Sequence, residues 1–402
     1  MTVFSIGNDN KCALGLISNM LETTKLLRDL VALPSVNPMG RQLQGPEVFE
    51  YRVTAYLEQF FRQLGVRFER QSIAPMRDNI VARFEPPGSR PTFVFEAHQD
   101  TVPTDHMTID PFAATIQDGK LYGRGACDIK GGMAAMLAAF ARLVREKPKN
   151  AANVIIACTV DEEHTFLGVQ GLVENGFVAD GAIVAEPTNL RIVHTHKGAA
   201  RWHVETSGRA CHSSSPEKGI NAIYRMGQIL PAIERFSEKL RTGQQDPYLG
   251  PATLSVGRIE GGTSVNTVPD SCRIEIDRRL IPGEQTKKAL EEFERFLRRE
   301  TGNKIDFHCS EPWISLPPLD AAGPTGKQEM IERLKGVLKR NHASQEVIAV
   351  PYGTDASTLA GAGIPAVVFG PGDIAKAHTC DEFVELDEVE KASEILFQFA
   401  SF

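Results

Sequence analysis

The chain has 402 residues, more than one ordinary hydrophobic core organises, so two domains are expected. Charged residues at 24% and hydrophobic residues at 42% describe a globular protein, and the net charge of -7 argues against nucleic acid, whose binding needs a basic face. Seven scattered cysteines without a CxxC pair argue against a disulfide framework and for a reducing, cytoplasmic setting.

The first twenty residues include Asp9 and Lys11 and lack a basic start followed by an apolar stretch, so residues 1–20 read as an extension rather than a signal peptide. No run approaches about 18 apolar residues, and no membrane span is expected. From Leu21 to residue 193 helical and strand patterns alternate, as a doubly wound α/β layer requires. In VFEYRVTAYLEQFFRQLG, Val53, Leu57, Phe60 and Leu64 form one helical stripe that Gly65 ends. PTFVFEAHQD is a short apolar run closing on His98. GRGACDIKGG carries Asp128 ahead of an Ala-, Leu- and Met-rich helix over 130–146. NVIIACTVDEE delivers Glu162 and Glu163, AIVAEPT delivers Glu186, and AVVFGPGDIAKAH ends on His378. Short buried runs bounded by turn residues read as strands of a covered, largely parallel sheet.

Between 196 and 312 the order changes. RWHVETSG, TLSVGRIEGG, SCRIEIDRRL and KIDFHCS read as strands. INAIYRMGQILPAIERFSEKL reads as a helix bent or broken at Pro231, and EQTKKALEEFERFLRRET as an amphipathic helix. The resulting β-α-β-β-α-β order is the split, ferredoxin-like pattern and predicts a separate inserted domain over 196–312. The α/β alternation resumes at 313, so the main domain is expected to be discontinuous, 1–195 with 313–402.

Groups at the carboxyl ends of strands in such a sheet converge on one crevice. His98, Asp128, Glu163, Glu186 and His378, with Glu162 beside them, therefore describe a metal site with a spare base. Taken singly, each has a plainer alternative. His98 would serve as a satisfied buried histidine, Asp128 as a helix cap, Glu162 and Glu163 as loop charges, and Glu186 before Pro187 as a turn. Five such residues at successive strand ends favour the metal.

The set AHQDTVP, LYGRGACDIKGG, DEEHTFLG, AEPT, CHSSSPEKGINA, GGTSVNTVPD, DRRLIPGE and AHTCDE, in this order, resembles the M20 family of zinc-dependent amidohydrolases and exopeptidases. The likeness is to its acetylornithine deacetylase and succinyl-diaminopimelate desuccinylase group. It covers nearly the whole chain after residue 21. It implies a zinc-exopeptidase-like α/β fold, a doubly wound mixed sheet, with an inserted ferredoxin-like lid or dimerisation domain.

It also implies two Zn2+ ions, with Co2+ as a substitute. His98, Asp128 and Glu186 would hold one ion and Asp128, Glu163 and His378 the other, with Asp128 bridging. Zinc accepts imidazole nitrogen and carboxylate oxygen, and two such ions share and activate one water. Glu162 is implied as the general base, and Asp100 is suited to accept the hydrogen bond of the second ring nitrogen of His98. A cis peptide is implied between Asp128 and Ile129.

His212, in the inserted domain, is implied to stabilise an oxyanion, often across a dimer; its plainer role is to cap the helix near Ile220, which Ser213 to Ser215 would also serve. Asn266 and Arg279 match substrate-contacting positions, Arg279 as a carboxylate partner with Arg278 turned to the other strand face. Gly370 and Gly372 would shape a loop against substrate, or form an ordinary turn.

The implied reaction is hydrolysis of an N-acyl amino acid by a homodimer joined through the inserted domain. A desuccinylase, or a carboxypeptidase or dipeptidase on short peptides, is the alternative within the family. A non-catalytic binder of amino-acid derivatives is the alternative outside it, and Glu162 argues against that, because a binder needs no base.

Overall fold

The computed structural model describes residues 23–401, apart from 89 and 303. The expected extension over residues 1–20 lies outside the described residues. The chain divides into two compact units. One takes the chain up to His194, then Ala322–Ile348, and then the stretch from Thr354 onward; the other takes Thr195–Ala321 and Ala349–Gly353. The return expected at residue 313 therefore comes later. Ile314–Leu316 pairs antiparallel with Arg201, Ala200 and Ala199, so it belongs to the second unit's sheet. The KIDFHCS run ends a strand without ending its domain.

An eight-stranded mixed sheet organises the first unit. Its spatial order is Arg67–Ala74, Arg77–Phe84, Asn153–Thr159, Thr92–His98, Gly181–Val184, Ala366–Val368, Ile192–His196, Val347–Val350. Parallel pairing joins the four central strands from Asn153–Thr159 to Ala366–Val368. The Arg67–Phe84 hairpin pairs antiparallel onto Asn153–Thr159, and Val193 pairs antiparallel with Val368. The sheet is thus less parallel than its apolar runs suggested, because a run buried on both faces carries no sign of strand direction. The parallel register matters for chemistry: His98 stands opposite Thr159 and Glu96 opposite Val184, so four strands end on one edge.

The helix Gly131–Glu146 is buried along most of its length, and alanine lets it pack closely against both the sheet and the last helix, Leu386–Ser401. The helix Tyr51–Leu64 buries Val53, Leu57 and Phe61, and Gly65 closes it with φ 68. Phe61, not Phe60, is the inner aromatic, because it stands a full four residues from Leu57 on the 3.6-residue period. Phe61 meets Phe140 edge-on at 5.9 Å, and burying such a ring is worth about 1.5–3 kcal/mol.

The second unit carries the antiparallel strands Gly198–Ser207, Thr253–Gly261, Ser271–Leu280 and Phe307–Cys309, with helices Ala222–Arg241 and Thr286–Glu300 between them. Numbered along the chain, the four strands lie in the spatial order 2-3-1-4. Trp202, Phe236 and Phe293 pack edge-on in its core. The helix Ala222–Arg241 runs unbroken through Pro231, contrary to the break allowed there, since proline removes only one backbone bond from a helix otherwise held by packing. Asn221 caps it by accepting the Tyr224 N–H at 3.1 Å, so neither His212 nor Ser213–Ser215 has that task.

Among the described residues no helix is long and apolar enough to cross a membrane, and the six described cysteines are free.

Candidate metal centre

Four strand ends of the first unit build the site. His98 is the last residue of Thr92–His98. Two residues beyond Asn153–Thr159, Asp161 adopts φ 66 and turns the chain so that Glu162 and Glu163 follow. Glu186 lies two residues after Gly181–Val184, and His378 comes from the loop that follows Ala366–Val368. Asp128 enters through a tight segment, Ala126–Lys130, ahead of Gly131–Glu146, and the Asp128–Ile129 peptide is cis. His98, Asp128, Glu162 and Glu186 are buried, whereas the His378 side chain is 49% exposed.

Asp128 stands between the two imidazoles. Its Oδ1 lies 3.2 Å from His98 Nε2 and its Oδ2 3.3 Å from His378 Nε2, while Glu163 Oε1 is 3.3 Å from the same His378 nitrogen. Ligand atoms of His98, Asp128 and Glu163 lie within 4.8 Å of one another, and so do those of His98, Glu162 and Glu186. All six residues are therefore gathered, and Glu162 stands among the ligand atoms rather than apart from them.

The donor chemistry fits divalent ions. Imidazole nitrogen and carboxylate oxygen suit zinc, and four acids beside two imidazoles demand more positive charge than the protein supplies. Burial pushes the Glu162 and Glu186 carboxyls well above the usual range, with neighbouring carboxylates adding and His98 opposing. Burial works against a charged His378, yet its hydrogen bonds to Asp128 and Glu163 push it up to about 11. His98 is likewise raised, by Asp100 and Asp128 against the effect of burial. Acids thus crowd both imidazoles, as they would around a cation.

Asp100 stands beside the second ring nitrogen of His98. His98 Nδ1 lies 3.0 Å from the Asp100 backbone carbonyl and 3.5 Å from its carboxylate. A carbonyl only accepts, so Nδ1 carries the hydrogen and Nε2 is turned toward Asp128. The Asp100 carboxylate also accepts the N–H groups of Glu162 (3.2 Å) and Glu163 (3.1 Å). Burial opposes its charge, but the partners, His98 foremost, hold it down to about 2. Asn37 supports this turn from behind, its amide donating to Asp100 Oδ2 (2.8 Å) and Asp161 Oδ1 (2.9 Å), and Arg77 adds a bond to Asp161 (2.6 Å).

Sequence reasoning missed several members of this surround. Glu382 accepts the Cys127 and Asp128 N–H groups, and the AHTCDE motif that supplied His378 already contained it. Buried Lys130 donates to the Leu33 carbonyl at 2.7 Å, and desolvation lowers it to about 7. The Thr159 hydroxyl lies 2.6 Å from Glu96 and 3.1 Å from Asp355, two buried acids behind the site. Asn37 and Asp355 carried no signal, because nothing in their local sequence marks them as distant partners.

Gly370 and Gly372 have packing reasons for their identity. A Cβ on Gly370 would lie 2.6 Å from the Glu186 carbonyl oxygen; Gly372 has φ 91, and its Cβ would lie 2.7 Å from Cys127 Sγ. The remaining expected residues belong to the second unit. His212 Nδ1 lies 2.8 Å from the Ser214 hydroxyl, and the Ser213 N–H donates to the Asn266 carbonyl at 3.0 Å, so the His212 and Asn266 segments adjoin. Beside them a cleft of about 740 Å³ is lined by Ser213, Asn221, Tyr224, Val265 and Thr267, among others, and by none of the metal candidates. Arg279 Nε bonds Asp277 at 2.8 Å, whereas Arg278 faces inward and pairs with Glu284 at 2.6 Å, as strand alternation requires.

Imidazoles and carboxylates gathered where the parallel strands of a mixed α/β sheet end define a class, the hydrolases built around a metal site. Residues 94–401 match the model of peptidase family M20/M25/M40. The acetylornithine deacetylase of Myxococcus xanthus is 34% identical over 325 residues, spanning 79% of this chain and 82% of that protein. An M20 family metallo-carboxypeptidase from Sulfolobus solfataricus superposes with a TM-score of 0.74 at 20% identity, over 94% of this chain and 98% of that one. A dinuclear metal binding peptidase of the M20 family from Bacillus subtilis gives 0.68 at 17%, over 96% and 98%. The chain belongs to peptidase family M20/M25/M40 and is a hydrolase.

Proposed function

We propose that the protein hydrolyses the amide bond of an N-acyl amino acid, as an acetylornithine deacetylase does, using two metal ions. The observation that carries the reading is the division of Asp128, one carboxylate oxygen toward His98 and the other toward His378. That arrangement suits a bridging ligand, with Glu186 completing the first site and Glu163 the second. Two zinc ions, when bound, would lower the pKa of a water and polarise the scissile carbonyl.

The protein's own part is proton handling and alignment. Glu162, its carboxyl raised by burial among acids, takes a proton from the attacking water. The water oxygen joins the acyl carbon, the C–N bond breaks, and Glu162 returns the proton to the leaving amine. His212 and Asn266 are proposed as oxyanion and substrate contacts and Arg279 as a carboxylate partner, supplied by a homodimer formed through the second unit. Val265 and Tyr224, 100% and 72% exposed beside the cleft, support such an interface.

The relative named acetylornithine deacetylase supports an acetyl substrate; a succinyl or aminoacyl group in its place is the alternative. The test is a panel of acetyl, succinyl and aminoacyl amino acids, with zinc or cobalt added and then chelated. Metal-dependent release of the amino acid is expected, fastest from the acetyl compounds. No hydrolysis of any member with metal present would end the reading, and fastest release from another member would move the substrate.

A further inference from the structure

Glu382 is fully buried and lies four residues beyond His378. Its Oε1 accepts two backbone N–H groups, those of Cys127 (3.0 Å) and Asp128 (3.1 Å), and its Oε2 pairs with Arg124, itself buried. The Gly123 N–H donates to the Glu382 carbonyl at 3.0 Å, and the neighbouring Phe383–Glu385 pairs with Lys120–Tyr122. One acid thus satisfies two peptide groups of Ala126–Lys130 that the following helix does not use. Arg124 offsets the cost of burying its charge.

Two segments 250 residues apart meet in this contact. One carries Asp128; the other carries His378, whose ring faces Asp128 Oδ2 at 3.3 Å. We infer that Glu382 is a positioning residue for the metal centre. By fixing the Cys127–Asp128 backbone from the segment that also bears His378, it sets the separation of these two ligands. The inference rests on the metal reading proposed above. A brace of this kind differs from a purely structural clamp in where its loss is felt. A structural clamp lowers stability and leaves ion affinity alone, whereas a positioning residue alters ion affinity in a protein that still folds. Partners behind ligands typically change metal affinity by 10–100-fold.

The test uses the full chain as wild type, Glu382→Asp and Glu382→Gln, with Co2+ alone as the probe. Affinity is read by chelator competition, ligand geometry by the visible cobalt spectrum, and metal-free stability by thermal melting. Glu382→Asp keeps the charge that Arg124 needs but is one methylene shorter, so it should fold, bind Co2+ about 10–100-fold more weakly and show an altered spectrum. Glu382→Gln should weaken binding in the same direction. Folded variants with wild-type affinity and spectrum would overturn the inference alone. Failure of both variants to fold without metal would also overturn it, since the contact would then belong to the fold. A wild type that binds no Co2+ would remove the metal reading and this inference together. A wild type that binds a single ion is judged by the same ratio, because Asp128 is assigned to both sites.

Discussion

The Asp100 carboxylate accepts the backbone N–H of Glu163 at 3.1 Å, across 63 residues of sequence. Its other oxygen takes the N–H of Glu162, so one acid fixes both the proposed base and a proposed ligand. Glu162 and Glu163 are adjacent in the chain and must send their carboxylates to different tasks. A rigid turn achieves this, and Asp100, Asn37 and Asp161 together make it rigid.

Replacing Asp100 with Ala leaves the Glu162 and Glu163 N–H groups without their acceptor and the Asn37 amide with only Asp161. Each orphaned group costs about 1–3 kcal/mol, so a loss on the order of 3 kcal/mol is expected after partial relaxation. Urea unfolding of the metal-free protein measures it. A loss below about 0.5 kcal/mol, the ordinary size of a surface change, would show that the turn does not depend on Asp100.

Glu162→Gln should separate proton transfer from metal binding. The amide keeps the size of the side chain and cannot take a proton, so turnover should fall by about 10²–10⁴-fold with two ions still bound. Metal analysis and steady-state kinetics on the best substrate of the panel check both halves. Loss of an ion would make Glu162 a ligand, a role its place beside His98 and Glu186 also permits.

Metal and protons compete for the same imidazoles, which gives the pH dependence a definite sign. In the metal-free protein His378 is raised to about 11 and His98 is raised as well. Both must lose their protons to bind an ion. Co2+ affinity should therefore rise with pH up to about 11, and binding at pH 8 should release protons. For the metal-free fold the sign reverses. A raised histidine contributes stability that is complete below its unfolded value near 6.5 and disappears as pH climbs through the folded value. Calorimetry in buffers of different ionisation enthalpy counts the protons, and denaturation across pH follows the stability. Proton-neutral binding at pH 8 would contradict the charged state of these rings.

The candidate ligands were legible because His98, Glu163, Glu186 and His378 each follow an apolar run, and strand ends in a sheet of this kind share an edge. The sequence also exposed the second unit's order of elements, since its four strands and two helices alternate by period alone. The surround was less legible. Asn37 acts on Asp100 and Asp161 through contacts 63 and 124 residues long, and no local pattern records such distances. Asp100 lies beside His98, and its carboxylate also holds the Glu162 and Glu163 N–H groups, a second task that no spacing in the sequence records. The boundary near residue 313 was misjudged because Ile314 and Leu316 look alike whether they begin a domain or finish one.

Gly370 offers the last separation, between touching substrate and holding a ligand. No substrate contact is needed to explain it, because a Cβ there would meet the Glu186 carbonyl oxygen at 2.6 Å and its nitrogen at 3.3 Å. Backbone cannot yield as a flexible side chain can, so Gly370→Ala must push the ends of Gly181–Val184 and Ala366–Val368 apart. Overpacking of this kind typically costs about 1–3 kcal/mol, and here the displaced residue is a proposed ligand. The variant should lose stability by that amount and bind Co2+ more weakly, with KM changed less than kcat. Melting, chelator competition and kinetics on one preparation distinguish the two roles. A raised KM with unchanged ion affinity and stability would return Gly370 to the substrate loop.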